Sequence, residues 1–67
     1  MIELDNEIIE LLETIEEQLN FAGEDSIKFI QGNNSAGTRV RKAMQNIKDL
    51  AQRVRVEVQA QKKGVPA

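Results

Sequence analysis

The sequence predicts an all-α protein, a two-helix antiparallel hairpin that pairs with a second copy into a four-helix bundle or coiled coil. Apolar residues recur at three- and four-residue steps in both halves of the chain, which is the period of a helix. One group of turn-forming residues, Gly32-Asn33-Asn34-Ser35, separates the halves. Because a chain of 67 residues without cysteine or histidine lacks disulfides and the common zinc sites, self-association is the expected support for so small a core.

The first helix is predicted from about residue 3 to residue 31. Its apolar stripe predicts that every inward position is apolar or small. Gly23 weakens the middle by about 1 kcal/mol relative to Ala. We predict one continuous helix, and a break at Gly23 is the alternative. Ile9, Phe21 and Ile27 lie off the stripe, either as scattered surface residues or as a wider contact with a second hairpin.

The loop is predicted at about residues 32–35 and the second helix at about 35–62, followed by a frayed tail at 63–67. Gly32 suits a left-handed helix end, and Asn34 or Ser35 suits the N-cap of the next helix. Gly64 and Pro66 would end that helix, so residues 1–67 form a single domain.

The second helix carries a heptad seam, which Ala43 and Leu50 widen. The predicted core and oligomer residues of both helices are Leu4, Ile8, Leu11, Ile15, Leu19, Val40, Met44, Ile47, Ala51, Val54 and Val58.

Several classes of function are excluded by composition. No histidine or cysteine is present to act as a general base or thiol nucleophile, and the carboxylates fall on solvated helix faces. We therefore expect no enzyme, no catalytic residue, no metal site, no cofactor and no small-molecule substrate. No run of about 18 apolar residues is present, so no membrane span is expected. The N-terminus does not look like a secretory signal, which predicts a cytoplasmic protein.

Charge is segregated along the chain. Residues 1–25 hold nine acids and no base, whereas residues 28–67 hold all nine bases and two acids. Such asymmetry between halves indicates either an acidic arm paired with a basic one or a basic surface for nucleic acid.

The bases of the second half form two groups. Arg41, Lys48, Arg55 and Lys62 recur every seven residues and would line one edge of a helix. Arg39, Arg41 and Lys42 crowd its first turns, where free backbone N–H groups favour phosphate. The same positions suit interhelical salt bridges with the acids of the first helix, and charge alone leaves both interpretations open.

The segment from Gly32 to Met44, GNNSAGTRVRKAM, with Leu50-Ala51-Gln52 and residues 55–59 after it, resembles the bacterial, chlamydial-type histone H1-like protein family. The likeness covers roughly residues 29–63, and its Gly-Thr-Arg-Val-Arg-Lys core is the specific part. It indicates a short member without the family's Lys/Ala/Arg-rich basic tail.

This resemblance implies a nucleoid-associated protein that binds double-stranded DNA without sequence specificity. Gly32 and Gly37 would then permit close approach of the backbone to DNA, or Gly37 would only allow tight packing at the turn. The alternative function is a helical oligomerisation or protein-interaction module whose charges pair internally. The nucleic-acid-binding residues expected on these grounds are Thr38, Arg39, Arg41, Lys42, Lys48 and Arg55.

Overall fold

The computed structural model describes the backbone of residues 6–63 and the side chains of residues 6–62. Two helices, α1 (Glu7–Ile30) and α2 (Asn34–Lys63), pack along their lengths as an antiparallel hairpin. The predicted all-α hairpin is therefore confirmed. Within residues 6–63, neither helix contains a stretch long and apolar enough to cross a membrane.

Helix α1 begins later than the sequence predicted. Asn6 has extended backbone angles (φ −145°, ψ 140°) and acts as the N-cap, because its Oδ1 accepts a hydrogen bond of 2.9 Å from the backbone N–H of Ile8. The helix therefore starts at Glu7. The prediction of a helix from about residue 3 is wrong for Asn6, which precedes the helix as its cap. Residues 3–5 and Leu4 lie outside the described residues. From Glu7 the helix is continuous through Gly23.

The turn between the helices satisfies the last carbonyls of α1. Gly32 has φ 107° and donates to the Phe29 carbonyl at 2.9 Å, while Asn33 donates to the Lys28 carbonyl at 3.0 Å. This pair of bonds is a Schellman motif, and the positive φ explains why glycine occupies position 32. Asn33 then caps α2 by accepting from the Ala36 N–H at 3.1 Å. The predicted N-cap at Asn34 or Ser35 was therefore one or two residues too late.

Small residues hold the two helices close together. Among residues 6–62, the buried side chains are those of Leu11, Ala22, Ala36 and Ala43, and Ala36 is fully inaccessible. Partly buried apolar residues continue the contact on both helices: Ile8, Ile15, Val40, Ile47, Leu50 and Val54. Because alanine lets helix backbones approach closely, the hairpin has a thin core that alternates large and small side chains.

The seam of α2 differs from the predicted one. Ala36, Ala43 and Leu50 face α1, alternating with Val40, Ile47 and Val54. Met44, Ala51 and Val58, which were predicted in the seam, are exposed within the hairpin, and so is Leu19 of α1. The seam keeps the predicted seven-residue spacing, but one of its two rows lies one position earlier in the chain than predicted.

Polar residues also occupy the helix contact, which corrects the expectation that every inward position of α1 is apolar or small. Gln18 is partly buried and accepts a hydrogen bond of 3.4 Å from Asn46. At the open end of the hairpin, Asn6 and Gln61 exchange two hydrogen bonds of 3.1 and 3.0 Å. These directional pairs fix which residues of α1 and α2 lie side by side.

Candidate nucleic-acid interface

The fold places the acidic half of the chain in one helix and the basic half in the other. Helix α1 carries seven acids and one base, a formal charge of −6, whereas α2 carries eight bases and two acids, a formal charge of +6. Because the two helices lie side by side and antiparallel, the acidic helix and the basic helix both run along the length of the hairpin. The first turn of α2 contains no acid.

Two ion pairs join the helices within the described residues. Arg39 Nη2 lies 3.0 Å from Asp25 Oδ1, and the Arg39 Nε–H donates to the same oxygen at 3.1 Å. The Asp25 side chain is mostly shielded, with 16% of its surface exposed, whereas half of Arg39 is exposed. Arg53 and Glu7 form a looser and more exposed pair at 3.6 Å. The salt-bridge interpretation is therefore correct for Arg39 among the bases for which it was proposed, and Arg53 forms a pair that the sequence did not predict.

The seven-residue repeat of bases has a different environment. Arg41, Lys48, Arg55 and Lys62, which we name the basic row, are all exposed, and none pairs with an acid of residues 6–62. The row spans about 31 Å, given the rise of 1.5 Å per residue of an α-helix. It is a continuous positive edge that no carboxylate within the described hairpin neutralises.

The start of α2 adds further cationic groups at the turn. Arg39, Arg41 and Lys42, which we name the tip cluster, lie within its first nine residues, and the Arg41 and Lys42 side chains are exposed. Thr38, beside them, is also exposed. The structure thus places the predicted binding residues on one helix: four near the turn, and Lys48 and Arg55 further along the basic row.

Gly37 has a packing role in this region. A Cβ atom added at Gly37 would lie 2.5 Å from Cδ1 and 2.7 Å from Cε1 of the Phe29 ring. The ring therefore occupies the space that a side chain would need. The interpretation of Gly37 as a residue that allows tight packing at the turn is supported, and that side of its backbone is covered by the chain itself.

Two features of the site could not be foreseen from composition. Asp25 follows Leu11 and Gln18 at seven-residue steps, so its inward position was detectable, but its pairing with Arg39 depends on the length of the turn. The Asn6–Gln61 pair joins residues 55 positions apart, and only the hairpin register brings them together.

This all-α hairpin is a small helical protein with one exposed basic helix. A comparison with protein-family models matches residues 6–64 to the family described as Histone H1-like protein Hc1. The chain belongs to this family, which confirms the resemblance drawn from the sequence. The family is one of histone H1-like DNA-binding proteins rather than of enzymes. No curated protein and no solved structure gives a significant match.

Proposed function

We propose that this protein is nucleoid-associated and cytoplasmic, and that it binds double-stranded DNA through the phosphate backbone without reading the base sequence. The observation that carries the proposal is the basic row, whose four side chains are exposed and unpaired with any acid of residues 6–62. Membership of the histone H1-like family supports DNA as the ligand.

The spacing of the row favours contacts to phosphates over contacts to bases. Successive members are separated by about 10 Å along one helix edge, because seven residues each rise 1.5 Å. Phosphate contacts from lysine and arginine position a protein on the duplex and carry no sequence information. The net charge of −2 does not oppose such binding, since local charge governs attraction and the acids lie mainly on the other helix.

The proposed contacts differ in how free each side chain is. Arg41 and Lys42 carry the binding at the tip, and Arg55 and Lys48 extend it along the helix. Thr38 offers a hydroxyl to the same phosphates. Arg39 contributes less, because Asp25 already neutralises its guanidinium at 3.0 Å.

A homodimer would present two such surfaces, and exposed apolar residues support self-pairing. Leu19 is 57% exposed and Met44 is 43% exposed in the isolated hairpin. A chain this small leaves its core marginal, so burial of these side chains in a four-helix bundle is the expected source of additional stability. Duplex binding would then neutralise several phosphates per dimer.

Fluorescence anisotropy of a labelled random-sequence duplex tests the proposal. With about six phosphates neutralised per dimer, log K should fall with log salt at a slope near −5. The variant Arg41→Ala/Lys42→Ala should reduce the affinity at least tenfold and flatten this slope. A second, unrelated duplex sequence should bind equally well.

The control is the comparison of Arg41→Ala with Arg53→Ala, which also removes one arginine from α2 but does so away from the turn, where Arg53 pairs with Glu7. Arg53→Ala should retain most of the affinity of the unaltered protein. If Arg41→Ala and Arg53→Ala weaken binding equally, the tip is not the site. If no duplex binds even at about 20 mM salt, where electrostatic attraction is strongest, the DNA proposal is wrong. The partner of the bundle would then be a protein.

A further inference from the structure

We propose that a second copy of this chain covers one particular long side of the hairpin, with α1 of each copy against α2 of its partner and both turns at the same end. The inference rests on the self-pairing proposed above and specifies its surface and orientation. We name this side the apolar edge. It consists of Leu12, Leu19, Met44, Ala51 and Val58.

The helical repeat places these five residues on the same side. Leu12 and Leu19 come directly after Leu11 and Gln18, which face α2. Met44, Ala51 and Val58 come directly after Ala43, Leu50 and Glu57, which are at least partly buried on α2. In two antiparallel right-handed helices, positions directly after such contact residues flank the seam on one common side. The apolar edge is therefore one surface made by both helices.

The opposite long side is chemically different. It carries the ion pair Glu7–Arg53 and the hydrogen bond from Asn46 to Gln18, which join the helices across the seam. Its polar groups are thus satisfied within the hairpin. The apolar edge exposes a row of large apolar side chains, among them Leu12 (47%), Leu19 (57%) and Val58 (38%), whereas the opposite side exposes Phe21 among polar residues, so the apolar edge is the side that a covering layer fits.

Charge decides the orientation of the second copy. The pairs Asp25–Arg39 and Gln18–Asn46 define the register of the hairpin, which places Glu16 at the level of Lys48 on the outer flanks of α1 and α2. If α1 lies on the partner's α2, Glu16 meets Lys48 of the partner. In the same arrangement Leu12 and Leu19 stand beside the partner's Ala51 and Met44.

The other two-fold arrangement places like charges together. There α1 lies on α1 and α2 on α2, so a helix of formal charge −6 faces its own copy and a helix of formal charge +6 does the same. Lys48 would approach Lys48 of the partner near the axis. Like-charge contacts of this kind disfavour a wrong arrangement and so set specificity.

The favoured arrangement keeps both turns at one end of the bundle. The two tip clusters would then lie on the diagonal of the bundle, with roughly 14 Å between the axes of the two α2 helices, because neighbouring helices pack about 10 Å apart. In the like-on-like arrangement Arg41 lies seven residues from Lys48 at the axis, so the two clusters would be about 21 Å apart along the helices and would point toward opposite ends of the bundle. A dimer of the favoured kind therefore presents two clusters to one segment of duplex. In this dimer Lys48 would pair with Glu16 of the partner, which leaves Arg41 and Arg55 of the basic row, together with Lys42, for the proposed phosphate contacts.

Single cysteines test the orientation cleanly, because the sequence contains no cysteine. Glu16→Cys and Lys48→Cys are prepared separately, mixed, and treated with a short thiol-reactive cross-linker without DNA. A covalent dimer is expected in the mixture, at least fivefold above either variant alone. Cross-linking of each variant with itself would show the like-on-like arrangement and overturn the inference, as would no dimer in any sample.

The control pair for random collisions is Asn20→Cys with Gln45→Cys, two exposed positions on the outer faces of the helices. Their mixture should give no covalent dimer. Formation of as much product as in the Glu16→Cys/Lys48→Cys mixture would mean that the cross-link reports collision, and the inference would fail.

The surface itself is tested by two substitutions of matched exposure. Leu19 is 57% exposed on the apolar edge, and Phe21 is 60% exposed on the opposite side. In sedimentation equilibrium, Leu19→Gln should weaken self-association at least tenfold, whereas Phe21→Gln should not. The reverse ranking would overturn the inference. Duplex binding is measured separately, so a protein that binds DNA but fails these tests would retain the proposed function and lose this dimer.

Discussion

Arg39 and Asp25 are joined across the two helices by two contacts to a single carboxylate oxygen, at 3.0 Å from Nη2 and 3.1 Å from Nε. The pair lies beside the turn, next to Arg41 and Lys42. Within the tip cluster, one base is therefore paired with an acid of the hairpin, and the other two have no acidic partner among residues 6–62.

Substitution of Asp25 should strengthen DNA binding. Asp25→Asn removes the charge that holds Arg39, so the guanidinium becomes available for a phosphate and affinity for duplex should rise about threefold to tenfold at low salt. The salt slope should steepen by about one per protomer. Because the Arg39 end of the pair is half exposed, its loss should lower the free energy of unfolding by about 1 kcal/mol.

Glu24→Gln is the control for net charge, because Glu24 is exposed and forms no ion pair with a base of residues 6–62. Fluorescence anisotropy titrations compare the duplex affinities of Asp25→Asn and Glu24→Gln. An equal rise in affinity for the two would show that overall charge, and not the release of Arg39, governs binding.

The two helical glycines should respond in opposite ways to alanine. Gly23 has open space where a Cβ would lie, so Gly23→Ala should raise the free energy of unfolding by about 0.5–1 kcal/mol. Gly37→Ala should bring no such gain, because the new methyl group displaces the Phe29 ring. Urea denaturation followed by circular dichroism measures both.

A double variant isolates the cause at position 37. In the Phe29→Ala background the space beside Gly37 is vacated, so Gly37→Ala should then stabilise the protein as Gly23→Ala does. If the alanine at position 37 behaves alike with and without the ring, the contact with Phe29 is not what excludes a side chain there.

Loss of Asn6 should destabilise the hairpin more than an ordinary surface substitution. Asn6→Ala removes the N-cap of α1 and both bonds to Gln61, and we expect a loss of about 1–2 kcal/mol, the upper range for a cap. Asn6→Asp retains an acceptor for the cap but cannot donate to Gln61, so its loss should be smaller. Thermal unfolding of the two variants separates the cap from the amide pair.

A charge in the helix contact should prevent folding. Leu11 is 5% exposed, and Leu11→Asp would bury an unpaired carboxylate, at a cost of several kcal/mol and thus of order the whole stability of a small domain. Circular dichroism should show loss of helix. Ile27→Asp, at a residue 59% exposed, should leave the helix content intact. A folded Leu11→Asp variant would contradict the observed seam.

The sequence predicts helix type and the turn well, because both depend on local chemistry. Gly32 takes the left-handed conformation expected of it, and the seven-residue repeat of the basic row survives as an exposed edge. The rows that face the partner helix were harder to predict. A heptad pattern is compatible with either Ala43 or Met44 facing α1. In the folded hairpin Ala43 faces α1, in the same seven-residue row as the fully buried Ala36, and Met44 is exposed.

Long-range polar pairs were the least predictable part of the site. Asp25 reads as one acid among nine, and Asn6 and Gln61 read as surface amides. Their roles follow from the register of α1 against α2, which a turn longer or shorter by one residue would shift. The availability of Arg41 and Lys42, in contrast to Arg39, therefore needed the folded hairpin.

The amide pair between Asn6 and Gln61 also determines how the protein can be labelled. It places the two ends of the described chain next to each other, about 36 Å from the turn, the length of the 24-residue helix α1. A fluorophore, tag or fused domain joined beyond either residue therefore begins at the end remote from Arg41 and Lys42. Two dyes of a resonance-energy-transfer pair, one on each end, would start close together and separate only when the hairpin opens.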